Sequence, residues 1–215
     1  MRIEIPILHT KFKTNCYIIG NKWNNKALII DPADNLNEIV KSLENLKLKP
    51  IAVILTHYHF DHRIILNEIL KKFKIPLWYN DEDCDIINKT KANRTLKDNE
   101  ILRLGRKKIK VFKTPGHTSE GICLYIKKVK CVKTNKRIEG AIITGDIIFI
   151  DKLGRWKNAD NFKELFNSLK IKLLWNSKFK KSYQIFPGHK RPFSIKWARN
   201  IFIIRNLELK HNFKI

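Results

Sequence analysis

The chain has 215 residues, 43% of them hydrophobic and 30% charged, which is enough apolar material for one buried core, too much for a disordered segment, and too short for two full catalytic domains. Lysine and arginine number 44 against 20 aspartates and glutamates, a formal net charge of +24 that attracts anionic partners over a distance of ~8 Å at physiological salt. The runs Lys107-Lys108, Lys127-Lys128-Val129-Lys130 and Lys178-Phe179-Lys180-Lys181 lie in different segments; none is a dense basic helix or arm with interleaved aromatics, so they read as solvated faces and no nucleic-acid partner is expected.

In chain order, Ile3 to Leu8, Cys16 to Ile19 and Ala27 to Ile30 predict a meander of short strands, the third ending in Asp31-Pro32. Leu36, Ile39, Val40, Leu43 and Leu46 recur at helical spacing, and after Pro50 the all-apolar Ile51 to Leu55 predicts a buried strand. Ile64, Ile65, Ile69, Leu70 and Phe73 predict a helix that stops before Pro76, and Leu77-Trp78-Tyr79 a strand that closes a βαβ unit. Lys89 to Asn99 has almost no apolar periodicity and predicts a surface loop or helix edge. Strands follow at Ile109 to Phe112, Gly121 to Ile126 and Gly140 to Thr144, with Lys133-Thr134-Asn135-Lys136 as a hairpin turn. Phe162, Leu165, Phe166, Leu169, Leu173 and Leu174 predict an amphipathic helix, Ser182 to Phe186 a strand, and Ile195 the start of a closing helix. No repeat or boundary interrupts the pattern, so residues 1–215 read as one domain.

Cys16, Cys84, Cys123 and Cys131 contain no C-x-x-C pair and read as reduced, packing cysteines. Cys123 lies inside a predicted strand, where a buried thiol is inert. The basic start is not followed by an unbroken apolar run, so no secretory signal is read. The most apolar stretch, Ala141 to Ile150, is interrupted by Asp146 and falls short of the roughly 18 to 20 residues of a membrane span. A soluble, cytoplasmic protein is expected.

Five of the seven histidines, His57, His59, His62, His117 and His189, lie just after predicted strands or beside Gly-Pro turns, where a rigid scaffold presents functional groups. His9 and His211 do not. Thr56-His57-Tyr58-His59-Phe60-Asp61-His62 places four ligand-type side chains directly after the buried strand, and imidazole with carboxylate is the ligand set for first-row metals when no thiolate is offered. In extended backbone His57 and His59 share a side and can reach one ion, while a turn beyond them lets Asp61 and His62 face a second. Thr114-Pro115-Gly116-His117, Thr144-Gly145-Asp146 and Pro187-Gly188-His189 add one ligand-type residue each. An aspartate at a strand end, Asp146 or Asp31, can also simply cap a turn.

H-x-H-x-D-H, a later G-H, a G-D and a final G-H, in that order, resemble the metallo-β-lactamase superfamily, from about Thr14 to about Pro192. The resemblance implies an α/β fold of four layers, αββα, with two mixed sheets flanked by helices. It also implies two divalent metal ions, zinc first, with iron or manganese as the other candidates. His57, His59 and His117 would hold the first metal, Asp61, His62 and His189 the second, and Asp146 would bridge both. Within the superfamily, Thr-Pro-Gly-His-Thr-Ser-Glu-Gly-Ile, Thr-Gly-Asp-Ile-Ile-Phe and Gly154-Arg155 are similar to glyoxalase II and the short glyoxalase II-like hydrolases.

That likeness implies a hydrolase of glutathione or related thioesters in which a hydroxide between the metals attacks the acyl carbonyl. Asp61 would be catalytic, orienting the hydroxide and taking part in proton transfer. Arg155 would meet the anionic carboxylates of the substrate, and Asp31 would stand behind the ligands or cap a turn. The expected partner is a small anionic thioester, with no membrane involved. Ile64 and Ile65 depart from the small residues usual after the motif, Gly154-Arg155 is followed by Trp156-Lys157-Asn158, and Lys190 follows the final histidine where glycine is usual. The alternatives are a persulfide dioxygenase with one iron on His57, His117 and Asp146, and a nuclease or basic RNA-binding protein. Against the nuclease, 215 residues leave no space for an exosite arm or inserted domain.

Overall fold

The computed structural model describes residues 2–4, 13–80, 92–131 and 137–202. One sheet runs in spatial order β1 (Arg2–Glu4), β2 (Tyr17–Asn21), β3 (Lys26–Ile30), β4 (Lys49–Ile54), β5 (Leu77–Tyr79) and β6 (Arg94–Thr95). Its first pairs are antiparallel, and from β3 to β6 it is parallel. The second sheet runs β7 (Ile101–Leu104), β8 (Lys107–Lys113), β9 (Ile122–Cys131), β10 (Arg137–Gly145), β11 (Gln184–Pro187) and β12 (Phe193–Ser194). It is antiparallel except between β10 and β11. β1 also pairs in parallel with the far end of β9, so the sheets share a ladder along one edge. Helices α1 (Leu36–Asn45) and α2 (Leu66–Phe73) join the parallel strands of the first sheet, and α3 (Ala159–Asn167) precedes β11. Residues 195–202 are helical.

Side chains alternate across each strand, and that alternation produces the layers. Tyr17, Ile19, Leu28, Ile30 and Ile54 of the first sheet bury against Ile109, Val111, Leu124, Ile126, Ile143 and Phe186 of the second. Their neighbours in sequence, Ile18, Ile29 and Val53, point the other way and pack under Ile39 and Leu43 of α1 and Leu66 and Ile69 of α2. On the outer face of the second sheet Phe112, Cys123, Tyr125, Ile142 and Ile185 meet Leu165, Leu169, Leu173 and Phe202. Three apolar interfaces stack four layers, the αββα sandwich expected, and each fully buried Ile or Leu contributes about 1.5–3 kcal/mol. Helix starts are set by capping: the side chain of Asn35 accepts the backbone N–H of Glu38 at α1, and that of Asn158 accepts Asn161 N–H at α3.

Several elements differ from the sequence reading. β4 starts earlier, at Lys49, and tolerates Pro50 because the register with β3 shifts there, between Ala27 and Leu28. The Lys89 to Asn99 segment, expected as a surface loop or helix edge, carries strand β6, and Leu96 beside it is fully buried. α2 begins at Leu66, because Ile64 and Ile65 lie in the turn before it and the N–H of Ile65 bonds the carbonyl of Pro32 at 3.3 Å. The long amphipathic helix divides: past α3, Ser168–Leu174 widens into a π-helix. Ile5 to Leu8, His9, Cys84, the 133–136 turn and His211 lie outside the described residues. Cys16 and Cys123 are free and buried, and burial pushes the Cys123 thiol up to about 12, leaving it unreactive at neutral pH. Among the described residues no helix is long and apolar enough to cross a membrane.

Candidate metal centre

The ligand-type residues stand past the carboxyl ends of strands that, within each sheet, run in the same direction. Asp31 follows β3, His57 to His62 follow β4, His117 follows β8, Asp146 follows β10 and His189 follows β11. β3 and β4 are parallel, β8 and β10 are both antiparallel to β9, and β10 and β11 are parallel. Within each sheet these loops leave from one end, and the two ends meet at a common edge. Backbone bonds join the two halves there, from Ile122 N–H to Thr56 O at 2.8 Å and from Asn15 N–H to Gly188 O at 2.6 Å. The Asn15 side chain adds bonds to the carbonyls of Pro187 and Lys190 at 2.9 and 2.8 Å.

In the first group, Nδ1 of His59 lies 3.1 Å from Nε2 of His57 and 3.1 Å from Nε2 of His117. In the second, Oδ2 of Asp61 lies 3.1 Å from Nε2 of His189 and 3.8 Å from Nε2 of His62. Asp146 stands between the groups: its carboxylate is 3.3 Å from Nε2 of His62, 3.3 Å from Nε2 of His189 and 3.9 Å from Nε2 of His117. Nε2 of His62 and Oδ1 of Asp146 are buried without a hydrogen-bond partner, although they face one another. With His62 neutral and its proton on Nδ1, these are two facing acceptors, and leaving buried polar atoms unpaired costs about 1–3 kcal/mol each, a cost that a proton on Nε2 offsets in the metal-free protein. A cation between them removes that cost, so the residues present fit a metal, and an all-imidazole-and-carboxylate donor set suits zinc, iron or manganese.

The outward nitrogens are held by the protein. Nδ1 of His57 meets Thr56 Oγ1 at 3.0 Å, Nδ1 of His62 meets Asp31 at 3.0 Å, Nδ1 of His117 meets the carbonyl of Arg155 at 2.9 Å and Nδ1 of His189 meets the carbonyl of Lys13 at 3.2 Å. Acceptors on Nδ1 place the proton there and turn the Nε2 lone pairs inward. Asp31 is the hub of this outer layer. Fully buried and left-handed at φ 50°, it accepts the N–H of Thr56 at 2.7 Å and the Thr56 hydroxyl at 2.7 Å as well as His62. It caps no local turn; its partners are 25 and 31 residues away. Backbone in this region is strained for a non-glycine residue and persists where the surroundings over-determine it.

Charge follows geometry. Burial favours the neutral imidazole of His62, but the Asp146 and Asp31 carboxylates outweigh it and push the group up to about 10. Burial likewise opposes protonation of His189, and Asp146 and Asp61 raise it to about 9. Burial opposes ionisation of Asp61 and Asp146, yet the neighbouring histidines hold both below the ordinary carboxylate range. His57 and His59 are kept neutral first by burial. Metal-free protein at pH 7 thus carries protons on His62 and His189 that a cation must displace. Loading with zinc is expected to release about two protons per chain, and affinity to fall as pH falls. Calorimetry in buffers of different ionisation enthalpy measures this, and zinc uptake without proton release would contradict it.

Glycines shape the cradle. A Cβ on Gly188 would collide with Oδ1 of Asp146 and the ring of His62, so the Pro187-Gly188-His189 turn admits no side chain. Gly188→Ala is expected to weaken binding of the second cation about 10- to 100-fold, as read by competition with a chelating dye; unchanged affinity would show that the glycine is incidental. Gly116, at φ 128°, lies against the backbone of Leu165 in α3, and the Ser168 hydroxyl bonds the Pro115 carbonyl at 2.9 Å. The outer helix therefore sets the loop that carries His117.

The fold brings together all seven candidate ligands, His57, His59, Asp61, His62, His117, Asp146 and His189, and sets Asp31 behind them. Arg155 enters through its backbone carbonyl, while its side chain is exposed. Thr14, which the sequence did not single out, donates its hydroxyl to Asp61 Oδ2 at 2.8 Å.

A family model, the metallo-beta-lactamase superfamily, matches residues 9–189. The probable polyketide biosynthesis zinc-dependent hydrolase PksB of Bacillus subtilis is 27% identical over 177 residues, 81% of this chain and 72% of that protein. The cytoplasmic isozyme of hydroxyacylglutathione hydrolase from Saccharomyces cerevisiae is 27% identical over 197 residues, 87% of this chain and 68% of that protein. In structure, ETHE1 from Myxococcus xanthus matches with a TM-score of 0.76 at 21% identity, over 94% of this chain and 83% of that one, a likeness of fold alone.

Proposed function

The chain belongs to the metallo-β-lactamase superfamily, and from that premise we propose that this metallo-hydrolase cleaves thioesters, glutathione thioesters foremost. The observation that carries the proposal is the pair of converging ligand groups with Asp146 between them, its Oδ1 and the facing Nε2 of His62 buried and unpartnered. In this reading His57, His59 and His117 would hold one cation and Asp61, His62 and His189 the other, with Asp146 placed to serve either. Zinc is the first candidate, in keeping with the zinc-dependent relative. When bound, a pair of divalent cations supplies Lewis-acid polarisation of an acyl oxygen and lowers the pKa of a water toward about 7.

The protein's own groups do the positioning. Oδ2 of Asp61 is fixed by the Thr14 hydroxyl and His189 and stays ionised at neutral pH. It orients the attacking water and passes its proton on rather than retaining it, since a carboxylate of such low basicity is a poor final acceptor. The exposed Arg155 side chain, whose own carbonyl holds His117, offers charge to an anionic substrate end. Cys123 is buried and protonated, so it takes no part as a nucleophile. Hydroxyacylglutathione hydrolases among the relatives support the substrate class. The single-iron dioxygenase reading uses His57, His117 and Asp146 alone and leaves Nε2 of His62 buried and unused, which favours the two-cation scheme.

The test is hydrolysis of S-lactoylglutathione alongside a panel of other thioesters, before and after chelation. Chelated protein is expected to lose turnover by about a thousandfold or more and to regain it with zinc, an effect of several kcal/mol on the barrier. Full turnover after exhaustive chelation would overturn the reading.

A further inference from the structure

The lysine runs that are scattered along the sequence meet in the fold. β8 ends and β9 begins at the metal-centre edge, so the start of β8 and the end of β9 lie at the opposite end of the sandwich. There Lys107, Lys108 and Lys110 of β8, Lys127 and Lys128 of β9, and Lys178 from the segment before β11 line a groove of about 390 Å³. Among the described residues none of those lining it is acidic. A second cavity of about 520 Å³ shares Lys128 and adds Lys22, Lys130 and Arg137. Its one acidic residue, Glu139, is already paired with Lys180 at 3.1 Å. The two cavities share Lys128 and so place both sets of basic side chains at this one end.

Arg103 stands directly opposite Lys108 across β7 and β8, and Arg137 opposite Lys130 across β9 and β10. Like charges directly opposite destabilise a sheet, so this arrangement does not serve stability of the isolated chain. Beside these basic side chains, Trp23 in the β2–β3 turn is 81% exposed, with the Arg106 guanidinium 5.3 Å from its ring centre. The turn is held against β7 by the Asn21 side chain, which bonds the Leu104 carbonyl at 2.7 Å.

We propose that this end of the protein binds a single-stranded nucleic acid, with the phosphate backbone along these lysines and a base stacked on Trp23. An extended run of exposed ammonium groups suits a chain of phosphates, and an exposed indole beside it suits a base face, the combination by which single strands are held without sequence preference. A compact anion would use only a fraction of the lysines, and an acidic peptide offers nothing flat for the indole. The surface is remote from the candidate metal centre, so the proposal does not depend on the thioesterase reading.

The test uses the 215-residue chain and a fluorescein-labelled single-stranded RNA 12-mer, followed by anisotropy across a salt series. Binding is expected to weaken linearly in log-log terms with salt. Replacing Lys108, Lys127 and Lys178 together by Ala should reduce the magnitude of that slope by about 2, at roughly 0.7 per phosphate contact in single strands, and lower affinity at least tenfold. Trp23→Ala should lower affinity about tenfold with the slope unchanged. Thioester turnover should be unaffected in both. A control lacking the same charge elsewhere, with Lys41, Lys71 and Lys72 of α1 and α2 replaced by Ala, should bind almost as the parent. Equal losses in the control and the groove variants, no binding at physiological salt, or displacement by polyglutamate at equal charge would each overturn the proposal.

Discussion

Asp146→Asn is expected to lower thioester turnover by roughly a thousandfold while leaving the fold intact. The carboxylate lies 3.3 Å from Nε2 of His62, 3.3 Å from Nε2 of His189 and 3.9 Å from Nε2 of His117, so it faces the inward nitrogens of both ligand sets. Asparagine preserves shape and one carbonyl oxygen but removes the charge that offsets a cation. A loss of several kcal/mol of charge stabilisation corresponds to about three powers of ten in rate. The effect should appear in metal content as well, with the variant retaining fewer ions after dialysis. The backbone of this turn is fixed independently, since Gly188 N–H bonds the Gly145 carbonyl at 2.8 Å and Gly154 N–H bonds the Ile147 carbonyl at 2.9 Å. Circular dichroism should therefore be unchanged. Wild-type turnover in this variant would place the chemistry elsewhere.

Asp31→Ala is expected to act on stability and metal affinity together. Removal of the carboxylate leaves the N–H of Thr56, its hydroxyl and Nδ1 of His62 without their acceptor, all in fully buried surroundings. Breaking one side of a buried charged network costs about 3–5 kcal/mol, visible as a lower urea midpoint. Freed of Asp31, the His62 ring loses its fixed orientation, and metal affinity should fall about 10- to 100-fold. Asp31→Asn separates the two effects. Its oxygen can still accept from Thr56, so it should recover part of the stability, whereas the lost charge leaves affinity low. Equal recovery of both would mean that shape alone matters at this position.

The ligand set was legible because each member follows a strand whose apolar run is unmistakable. Ile51 to Leu55 marks where His57 begins, and Ala141 to Ile143 marks the approach to Asp146. The layer order was carried by the resemblance and agrees with the alternation of Ile18, Ile19, Leu28 and Ile29 between two cores. What escaped the sequence depends on partners distant along the chain. Asp31 is equally good as a turn cap until its partners at Thr56 and His62 are seen. The sequence points to the guanidinium of Arg155, yet its carbonyl orients His117, and a backbone group leaves no residue signature. Leu96 and β6 were hidden because a strand of two residues has no periodicity to detect. The basic runs look dispersed because sequence spacing does not show that the turn before Lys107 and Lys127-Lys128 of β9 lie side by side.

Two ligand groups sharing Asp146 call for two cations per chain, a number that can be weighed. Native mass spectrometry of zinc-reconstituted protein is expected to show two ions per chain, both removed by chelation, with the second weakened in Gly188→Ala. A single ion or none at saturating zinc would contradict the paired centre around Asp146.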